Sequence, residues 1–181
     1  GARNGPALAD LDGDGDMDLL VGSDSGTFRY FENTGSASAA SFTERTLASN
    51  PFGGIDIGQY SRPTFVDLDG DGDLDVLAGD YFGFVQFLEN TGSAAAPSFT
   101  HQIFTNPFAA VSVGYQSSPT FADLDGDGDL DAVVGEADGT LNYFENTGTA
   151  AAAVFMQRTG AANPFDGLTA NGRSNPVLAD V

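Results

Sequence analysis

Three stretches of the chain carry an aspartate at every second position, a spacing that can hold a hard metal ion. They read DLDGDGDMD at 10–18, DLDGDGDLD at 67–75 and DLDGDGDLD at 123–131. Calcium takes about six to eight oxygen ligands from carboxylates and backbone carbonyls, at ~2.3–2.6 Å and in flexible geometry. The sequence therefore predicts one Ca²⁺ site in each stretch, about three per chain.

The spacing gives each aspartate of a loop a predicted role. Alternate side chains converge on one point only where the chain curls sharply, and a glycine with positive φ allows that curl. The glycines at the sixth position are Gly15, Gly72 and Gly128. The predicted side-chain ligands are Asp10, Asp12, Asp14 and Asp18, then Asp67, Asp69, Asp71 and Asp75, then Asp123, Asp125, Asp127 and Asp131. The predicted backbone-carbonyl ligands belong to Asp16, Asp73 and Asp129.

Other interpretations of these loops are weaker. An EF-hand needs a bidentate Glu at its twelfth position, where this chain has Val21, Ala78 and Val134. Mg²⁺ is an alternative, but it prefers to keep its waters and an octahedral shell. Soft metals are disfavoured because only oxygen donors are on offer. The remaining alternative is a solvated acidic turn that binds no specific ion.

Without a cation, the crowded carboxylates of a loop repel one another. Two such charges ~5 Å apart at an effective dielectric constant of ~20 cost roughly 3 kcal/mol. Several terms of this size rival the whole stability of a domain. We therefore expect the fold to depend on the bound ion.

The Asp loops belong to a longer repeat. They start at positions 10, 67 and 123, so their starts are 57 and 56 residues apart. Each loop lies between short apolar runs, and a hairpin with a Gly-containing turn follows it. In the first unit we expect strands at about 7–10, 18–22, 27–33 and 42–47.

Four antiparallel strands at this period are typical of a β-propeller blade. The predicted fold is all-β, with three four-stranded blades of about 57 residues and the first strand of a fourth. A β-sandwich is the alternative, but it would not explain the near-identical repetition. The predicted boundaries are 1–62, 63–118, 119–175 and 176–181.

Aromatic residues are the predicted contacts between blades, because a blade needs apolar residues on both of its faces. The third strands offer Phe28, Tyr30, Phe31, Phe84, Phe87, Tyr143 and Phe144. A repeated Asn-Pro-Phe element follows each fourth strand and is expected to anchor the crossover to the next blade through Phe52, Phe108 and Phe165.

The charge balance restricts the possible partners. Six basic residues against 26 acidic ones give a formal net charge of −20. Nucleic acid is disfavoured as a partner, because phosphate binding needs clustered basic residues. There is no cysteine, so disulfides and thiolate metal sites are excluded. No segment has the pattern of a signal peptide or a membrane span, so membrane insertion is not expected.

Catalysis is not expected, because the chain offers little material for it. His101 is the only histidine, and we interpret it as an ordinary strand residue. Nucleophilic arrangements that need Ser and His or Cys and His therefore have almost no candidates. Three acids outside the loops, Glu32, Glu89 and Glu145, also recur in register, each followed by Asn-Thr-Gly, and this repetition indicates a structural turn.

The repeat resembles the FG-GAP/VCBS repeats, the blades of integrin α-subunit propellers and of many secreted bacterial and cyanobacterial proteins. The resemblance is carried by PALADLDGDGDMDLLVG, PTFVDLDGDGDLDVLAG and PTFADLDGDGDLDAVVG, and by the FENTG or LENTG that follows. It implies a seven-bladed, calcium-binding, extracellular or cell-surface propeller. The segment before each loop is GQYSRP, GYQSSP or GRSNP, which fits the bacterial subtype better than animal integrins.

Three blades are too few for a ring, since propellers have about four to eight. We expect further blades from a longer parent chain, or from head-to-tail assembly of two copies. The predicted function is a non-catalytic adhesion or interaction scaffold with a protein or glycan ligand at the cell surface or in the matrix. The alternatives are a lectin that binds sugar between blades and a structural stalk or filament. The aromatic residues to test for a ligand are Tyr60, Tyr81, Phe82 and Tyr115.

Overall fold

Three four-stranded antiparallel sheets make up the structure, a computed structural model that describes residues 5–109 and 111–178. In each sheet the strands are hydrogen-bonded in chain order. The first sheet contains β1 (Pro6–Ala9), β2 (Asp18–Gly22), β3 (Phe28–Asn33) and β4 (Phe42–Arg45). The second contains β5 (Arg62–Val66), β6 (Asp75–Gly79), β7 (Val85–Asn90) and β8 (Phe99–Gln102). The third contains β9 (Ser118–Ala122), β10 (Asp131–Gly135), β11 (Leu141–Asn146) and β12 (Phe155–Arg158).

Each sheet corresponds to one predicted blade, and the all-β, propeller-type fold class is confirmed. The predicted strands of the first unit also match, except that β4 ends at Arg45 rather than at about 47. A 3₁₀ turn at Leu47–Ser49 follows at once, and Leu47 itself has φ of 54°. A second 3₁₀ turn, Gly160–Ala162, holds the same place after β12. No helix among the described residues is long and apolar enough to cross a membrane.

The strand order fixes two opposite ends of every blade. Because consecutive strands are antiparallel, the Asp loops and the connectors between third and fourth strands lie at one end, the loop end. The hairpin turns after β2, β6 and β10 lie at the other end, the hairpin end, together with the crossovers between blades. The first strands β1, β5 and β9 are neighbours across the blades.

The Asn-Pro-Phe elements join neighbouring blades, as predicted. Phe52, which follows β4, stacks on Phe99 of β8, with ring centroids 4.1 Å apart. Phe108, which follows β8, stacks in the same way on Phe155 of β12, also at 4.1 Å. Both rings are buried, so each crossover is anchored in the core of the blade that follows it.

The asparagine of the same element ties each crossover back to its own blade. The Nδ2 of Asn50 donates to the carbonyl oxygen of Phe28 at 3.3 Å, and its Oδ1 accepts from the backbone N–H of Phe52 at 3.0 Å. Asn106 and Asn163 make the equivalent bonds in the other two blades. In the first two motifs, the asparagine therefore bonds to its own blade and the phenylalanine packs against the next one.

Two hydrophobic clusters lie between the blades and form the core. One joins blades 1 and 2 through Leu20, Phe28, Tyr30, Phe52, Val76, Ala78, Leu88 and Phe99. The other joins blades 2 and 3 through Leu77, Val85, Phe87, Phe108, Ala132, Val134 and Phe144. All five residues of β6 are buried, and so are all five residues of β10. The core is thus made by contacts between neighbouring repeats.

Not every predicted core aromatic is buried. The prediction that Phe84 belongs to the core between blades is wrong. Phe84 directly precedes β7, and its side chain is 42% exposed. Phe31 is half-buried, and the guanidinium of Arg29 lies 4.9 Å from the centre of its ring. Phe165 is also half-buried, with Tyr143 as its ring neighbour at 6.3 Å.

A buried serine after each blade bonds to the hairpin of that blade, and two of these serines precede the first strands of blades 2 and 3. Ser117 Oγ donates to the carbonyl oxygen of Phe84 at 2.6 Å and accepts from the backbone N–H of Asp80 at 3.0 Å. Ser61 and Ser174 hold the equivalent places. Gly79 is required beside Ser117, because a Cβ on it would lie 2.1 Å from the serine carbonyl oxygen.

Ser174 repeats the serine contacts after blade 3. Residues 176–178, the start of the predicted fourth first strand, are not in a strand. Residues 179–181, the rest of that strand, lie outside the described residues.

Candidate metal centres

Each Asp loop connects the first and second strands of its blade and curls at two glycines. In the first loop Gly13 has φ of 76° and Gly15 has φ of 93°. The corresponding pairs, Gly70 with Gly72 and Gly126 with Gly128, are also left-handed. Only the second glycine of each pair was predicted to take this conformation, so the first was missed.

The carboxylate of the first aspartate accepts hydrogen bonds from the backbone of its own loop. The Oδ1 of Asp10 accepts from the backbone N–H of Gly13 at 2.9 Å, and its Oδ2 accepts from that of Gly15 at 3.0 Å. Asp67 and Asp123 repeat both bonds in their own loops. The backbone therefore holds the first carboxylate of every loop in a fixed orientation.

The structure brings the first three aspartates of every loop together. Within each group, one carboxylate oxygen from each residue lies within 4.8 Å of those from the other two. The groups are Asp10, Asp12 and Asp14; Asp67, Asp69 and Asp71; and Asp123, Asp125 and Asp127. Burial, followed by the charges of Asp18 and Asp14, raises the pKa of Asp12. A bound cation would relieve this crowding.

The last aspartate of the loop lies outside this group of three and is built into the core. Asp18 is 2% exposed. Its Oδ2 accepts from the backbone N–H of Leu11 at 3.3 Å and from the hydroxyl of Tyr30 at 2.7 Å, while its Oδ1 accepts from the N–H of Asn33 at 2.7 Å. One lone pair of Oδ1 is left for an ion. The ligand role of Asp18 therefore stays a prediction.

Blades 2 and 3 repeat this arrangement with one difference. Asp131 accepts from the hydroxyl of Tyr143 at 3.0 Å, but in blade 2 the equivalent ring is Phe87, which has no hydroxyl. Asp75 keeps only its two backbone donors, from Leu68 and Asn90. Burial raises the pKa of Asp75 to about 7.

The aspartate at the seventh position of the loop has a buried side chain in loops 1 and 3. Asp16 and Asp129 are each 7% exposed, and the Oδ1 of each has no hydrogen-bond partner. Burial, followed by the charges of Asp14, Asp18 and Asp10, raises the pKa of Asp16. Asp73 is half-buried. The predicted role of this position was that of a backbone-carbonyl ligand alone.

These observations fit a hard divalent cation. A buried carboxylate oxygen without a partner is costly unless a cation or a donor faces it. In loops 1 and 3 that oxygen belongs to the same loop as three clustered carboxylates. Every donor is an oxygen, the ligand type that Ca²⁺ and Mg²⁺ prefer. The aspartates of each loop could therefore hold one such ion.

The recurring glutamates lie one residue before the end of the third strands, and the predicted turn follows them. Glu32 on β3 forms an ion pair with Arg45 on β4, with Nη2 and Oε1 2.5 Å apart. Glu145 pairs in the same way with Arg158 at 2.7 Å, and Glu89 accepts from Gln102. The side chain of the next residue, an asparagine, caps the turn: Asn33 Oδ1 accepts from Gly35 and Ser41.

His101 lies half-buried on β8. Its Nε2 is 3.1 Å from the Oε1 of Gln86, and the Nε2 of Gln86 donates to Asp80 at 2.9 Å. Burial lowers the pKa of His101, which favours the neutral ring. Blade 3 has a similar polar chain, from Gln157 through Asn142 to Glu136. This repetition accounts for His101 as part of a cross-strand network.

The four aromatic residues singled out in the sequence meet at the hairpin end. The ring of Tyr81 lies 5.3 Å from those of Tyr60 and Phe82 and 5.6 Å from that of Tyr115. We call Tyr60, Tyr81, Phe82 and Tyr115 the aromatic cluster. It lies at the opposite end of the blades from the Asp loops.

Comparison with known proteins agrees with this architecture. The sequence profile of the FG-GAP-like repeat matches the chain twice, over residues 10–78 and 67–134. Each match runs from one Asp loop into the second strand of the next blade. No curated protein matches the chain. The two overlapping matches cover more than half of the sequence, and the chain belongs to the FG-GAP-like repeat family.

Proposed function

We propose that the chain is a calcium-binding β-propeller module that acts as a non-catalytic, extracellular interaction scaffold. The observation that carries the proposal is a cluster of three carboxylates in each blade, with one oxygen of each within 4.8 Å of the other two. A single catalytic centre would not be copied in every blade. A structural ion site would be, because every blade has the same loop to neutralise.

Calcium is the proposed ion because of the loop's donor set. Each loop offers several carboxylates and backbone carbonyls, and Ca²⁺ accepts many oxygens in irregular geometry. Mg²⁺ would keep more of its waters and use fewer of these groups. Membership of the FG-GAP-like repeat family supports both the ion and an extracellular setting.

Calorimetric titration tests the ion site directly. We expect the chain to bind about three Ca²⁺ ions, with weaker binding of Mg²⁺. Replacing Asp12 and Asp14 together by asparagine should remove one of the three sites, because loop 1 loses two charged ligands. Asp166→Asn is the matched control, since Asp166 is an exposed aspartate outside the loops.

Two outcomes would contradict the proposal. One is the absence of binding heat at millimolar Ca²⁺. The other is an unchanged stoichiometry in the double variant of loop 1. The stalk and lectin alternatives share the ion site, and they differ from the scaffold in the ligand: the stalk requires none, and the lectin requires a sugar.

A further inference from the structure

A cavity of about 530 Å³ lies along the first strands of the three blades. Its lining includes Ala7 of β1, Thr64 of β5 and Thr120 of β9, together with residues 175–177 after blade 3. Sites for small organic molecules have volumes of about 300–1,000 Å³ and a few polar groups that fix the orientation of the ligand. The size of this cavity is therefore that of a ligand site.

The charge of the cavity is opposite to that of the chain. Arg62 and Arg173 line it, and none of the described residues in its lining is acidic. The whole chain has 26 acidic residues and only six basic ones. Three other arginines, Arg29, Arg45 and Arg158, form ion pairs between third and fourth strands. The cavity thus concentrates positive charge in a chain that is otherwise strongly acidic.

Both arginines of the cavity contact the same residue, Gln116. Arg62 begins β5 and is 7% exposed. Its Nη1 donates to the Oδ1 of Asn175 at 2.7 Å and lies 3.5 Å from the carbonyl oxygen of Gln116. The Nη2 of Arg173 donates to the Oε1 of Gln116. Because Arg62 pairs with Gly79, the last residue of β6, these contacts lie at the hairpin end.

An anion between the two arginines would be favourable for a simple electrostatic reason. Two guanidinium groups beside one residue repel each other, and the burial of a charged group is costly unless opposite charge compensates it. A guanidinium carries five N–H donors in a planar fork that matches the two oxygens of a carboxylate. One arginine can therefore hold a structural partner and a bound anion at the same time.

The repeat itself does not require an arginine at either position. The residue before the first-strand proline is Arg62 in blade 2 but Ser118 in blade 3. The residue before the buried serine is Arg173 after blade 3 but Tyr60 after blade 1. The blades form with other side chains at these positions, so the pair of arginines is a property of the cavity.

The rest of the lining indicates the kind of anion. Phe65, Pro63 and Pro119 offer apolar surface in the same cavity, while Thr64 and Thr120 offer hydroxyl groups. A ligand with one carboxylate and an apolar body can use both kinds of surface. An inorganic anion such as sulfate would leave the apolar surface in contact with water, which is less favourable.

We propose that this cavity, the arginine cavity, binds a small organic carboxylate. The carboxylate lies between Arg62 and Arg173, and the apolar body of the ligand lies along the first strands. The two arginines are at the opposite end of the blades from the Asp loops, so the inference goes beyond the proposed ion sites and gives the module a second kind of ligand.

The test compares benzoate with benzamide, which has the same ring but a neutral amide in place of the carboxylate. Binding is followed by NMR of the Nε–H groups in protein with ¹⁵N-labelled arginine, at saturating Ca²⁺ and at physiological salt, which screens the long-range repulsion by the acidic chain. We expect benzoate to shift the signals of Arg62 and Arg173 and benzamide to leave them unchanged. The ion-paired Arg29, Arg45 and Arg158 are internal controls.

A pair of variants separates the cavity from the general effect of charge. Arg173→Gln should weaken benzoate binding by about fivefold or more, because hydrogen bonds to charged groups contribute about 1.5–3 kcal/mol. Arg29→Gln is the matched control, since it removes the same charge from an arginine that pairs with Glu44 outside the cavity, and it should leave binding unchanged. Thermal unfolding checks that both variants fold, and the comparison of benzoate with benzamide on the unaltered chain decides the question without them.

Four results would overturn the inference. These are no shift of Arg62 or Arg173 with benzoate in large excess, equal shifts from benzamide, an equal loss of binding in Arg29→Gln and Arg173→Gln, and binding of sulfate as tight as that of benzoate. The last result would show a site for any anion rather than for an organic carboxylate. None of them affects the calcium titration, so failure of this inference is distinguishable from failure of the proposed ion sites.

Discussion

At the scale of single residues, the five aspartates of a loop fall into different environments. The first three are clustered near the surface, whereas the fifth is buried and accepts hydrogen bonds from the core. In blades 1 and 3 a tyrosine hydroxyl donates one of those bonds. In blade 2 the equivalent residue is Phe87, which has no hydroxyl to donate. The core of each blade thus takes part directly in holding its loop.

This difference predicts opposite effects for two substitutions. Tyr143→Phe removes the phenol that donates to the buried Asp131, and hydrogen bonds to charged groups contribute about 1.5–3 kcal/mol. We expect the free energy of unfolding to fall by about that amount. Phe87→Tyr should raise it, because the new hydroxyl meets a carboxylate that has only backbone donors. Urea unfolding at pH 7.5 with Ca²⁺ measures both changes, and a loss of stability in Phe87→Tyr would contradict this account.

At the scale of structural elements, the Asn-Pro-Phe motif joins one repeat to the next. Phe52 and Phe108 fill the same place in successive interfaces, each stacked on the phenylalanine that begins the fourth strand of the following blade. Phe165 has the same sequence context, and its backbone N–H donates to Asn163 Oδ1 in the same way, but its ring is only half-buried. Equal motifs therefore have unequal surroundings.

The unequal burial predicts unequal losses of stability. Phe108→Ala should lower the free energy of unfolding by about 3–5 kcal/mol, the usual cost of emptying a buried phenylalanine site. Phe165→Ala serves as the matched control and should cost clearly less, since part of its ring already faces solvent. Thermal and urea unfolding of both variants compare the two, and similar losses would show that the stack between blades 2 and 3 is not a main stabilising contact.

Much of this architecture was predictable because it is repeated. The Asp loops, the hairpins and the Asn-Pro-Phe anchors recur with small changes. A pattern that occurs three times in register arises by chance much less often than one that occurs once. Features of one blade were harder to predict. The exposure of Phe84 and the meeting of Tyr60 with Tyr81 depend on contacts between segments distant in the chain, and local patterning carries no information on those contacts. The pairing of Asp18 with Tyr30 was missed for the same reason.

At the scale of the whole chain, stability comes from interfaces between repeats and from the loops beside them. The two hydrophobic clusters each span two blades, so no blade has a complete core of its own. The Asp loops lie at one end of these blades and carry 15 of the chain's 26 acidic residues. Repulsion within them opposes the same folded state that the clusters stabilise, and a bound cation would remove that opposition.

The thermal unfolding midpoint, measured with Ca²⁺ and again after chelation by EDTA, tests this central claim most directly. We expect chelation to lower the midpoint by about 10 °C or more, because each kcal/mol shifts a chain of this size by roughly 2–4 °C and three loops lose their ions. Added excess Ca²⁺ should restore the midpoint. Identical midpoints in Ca²⁺ and in EDTA would contradict the dependence of this fold on ions in its aspartate loops.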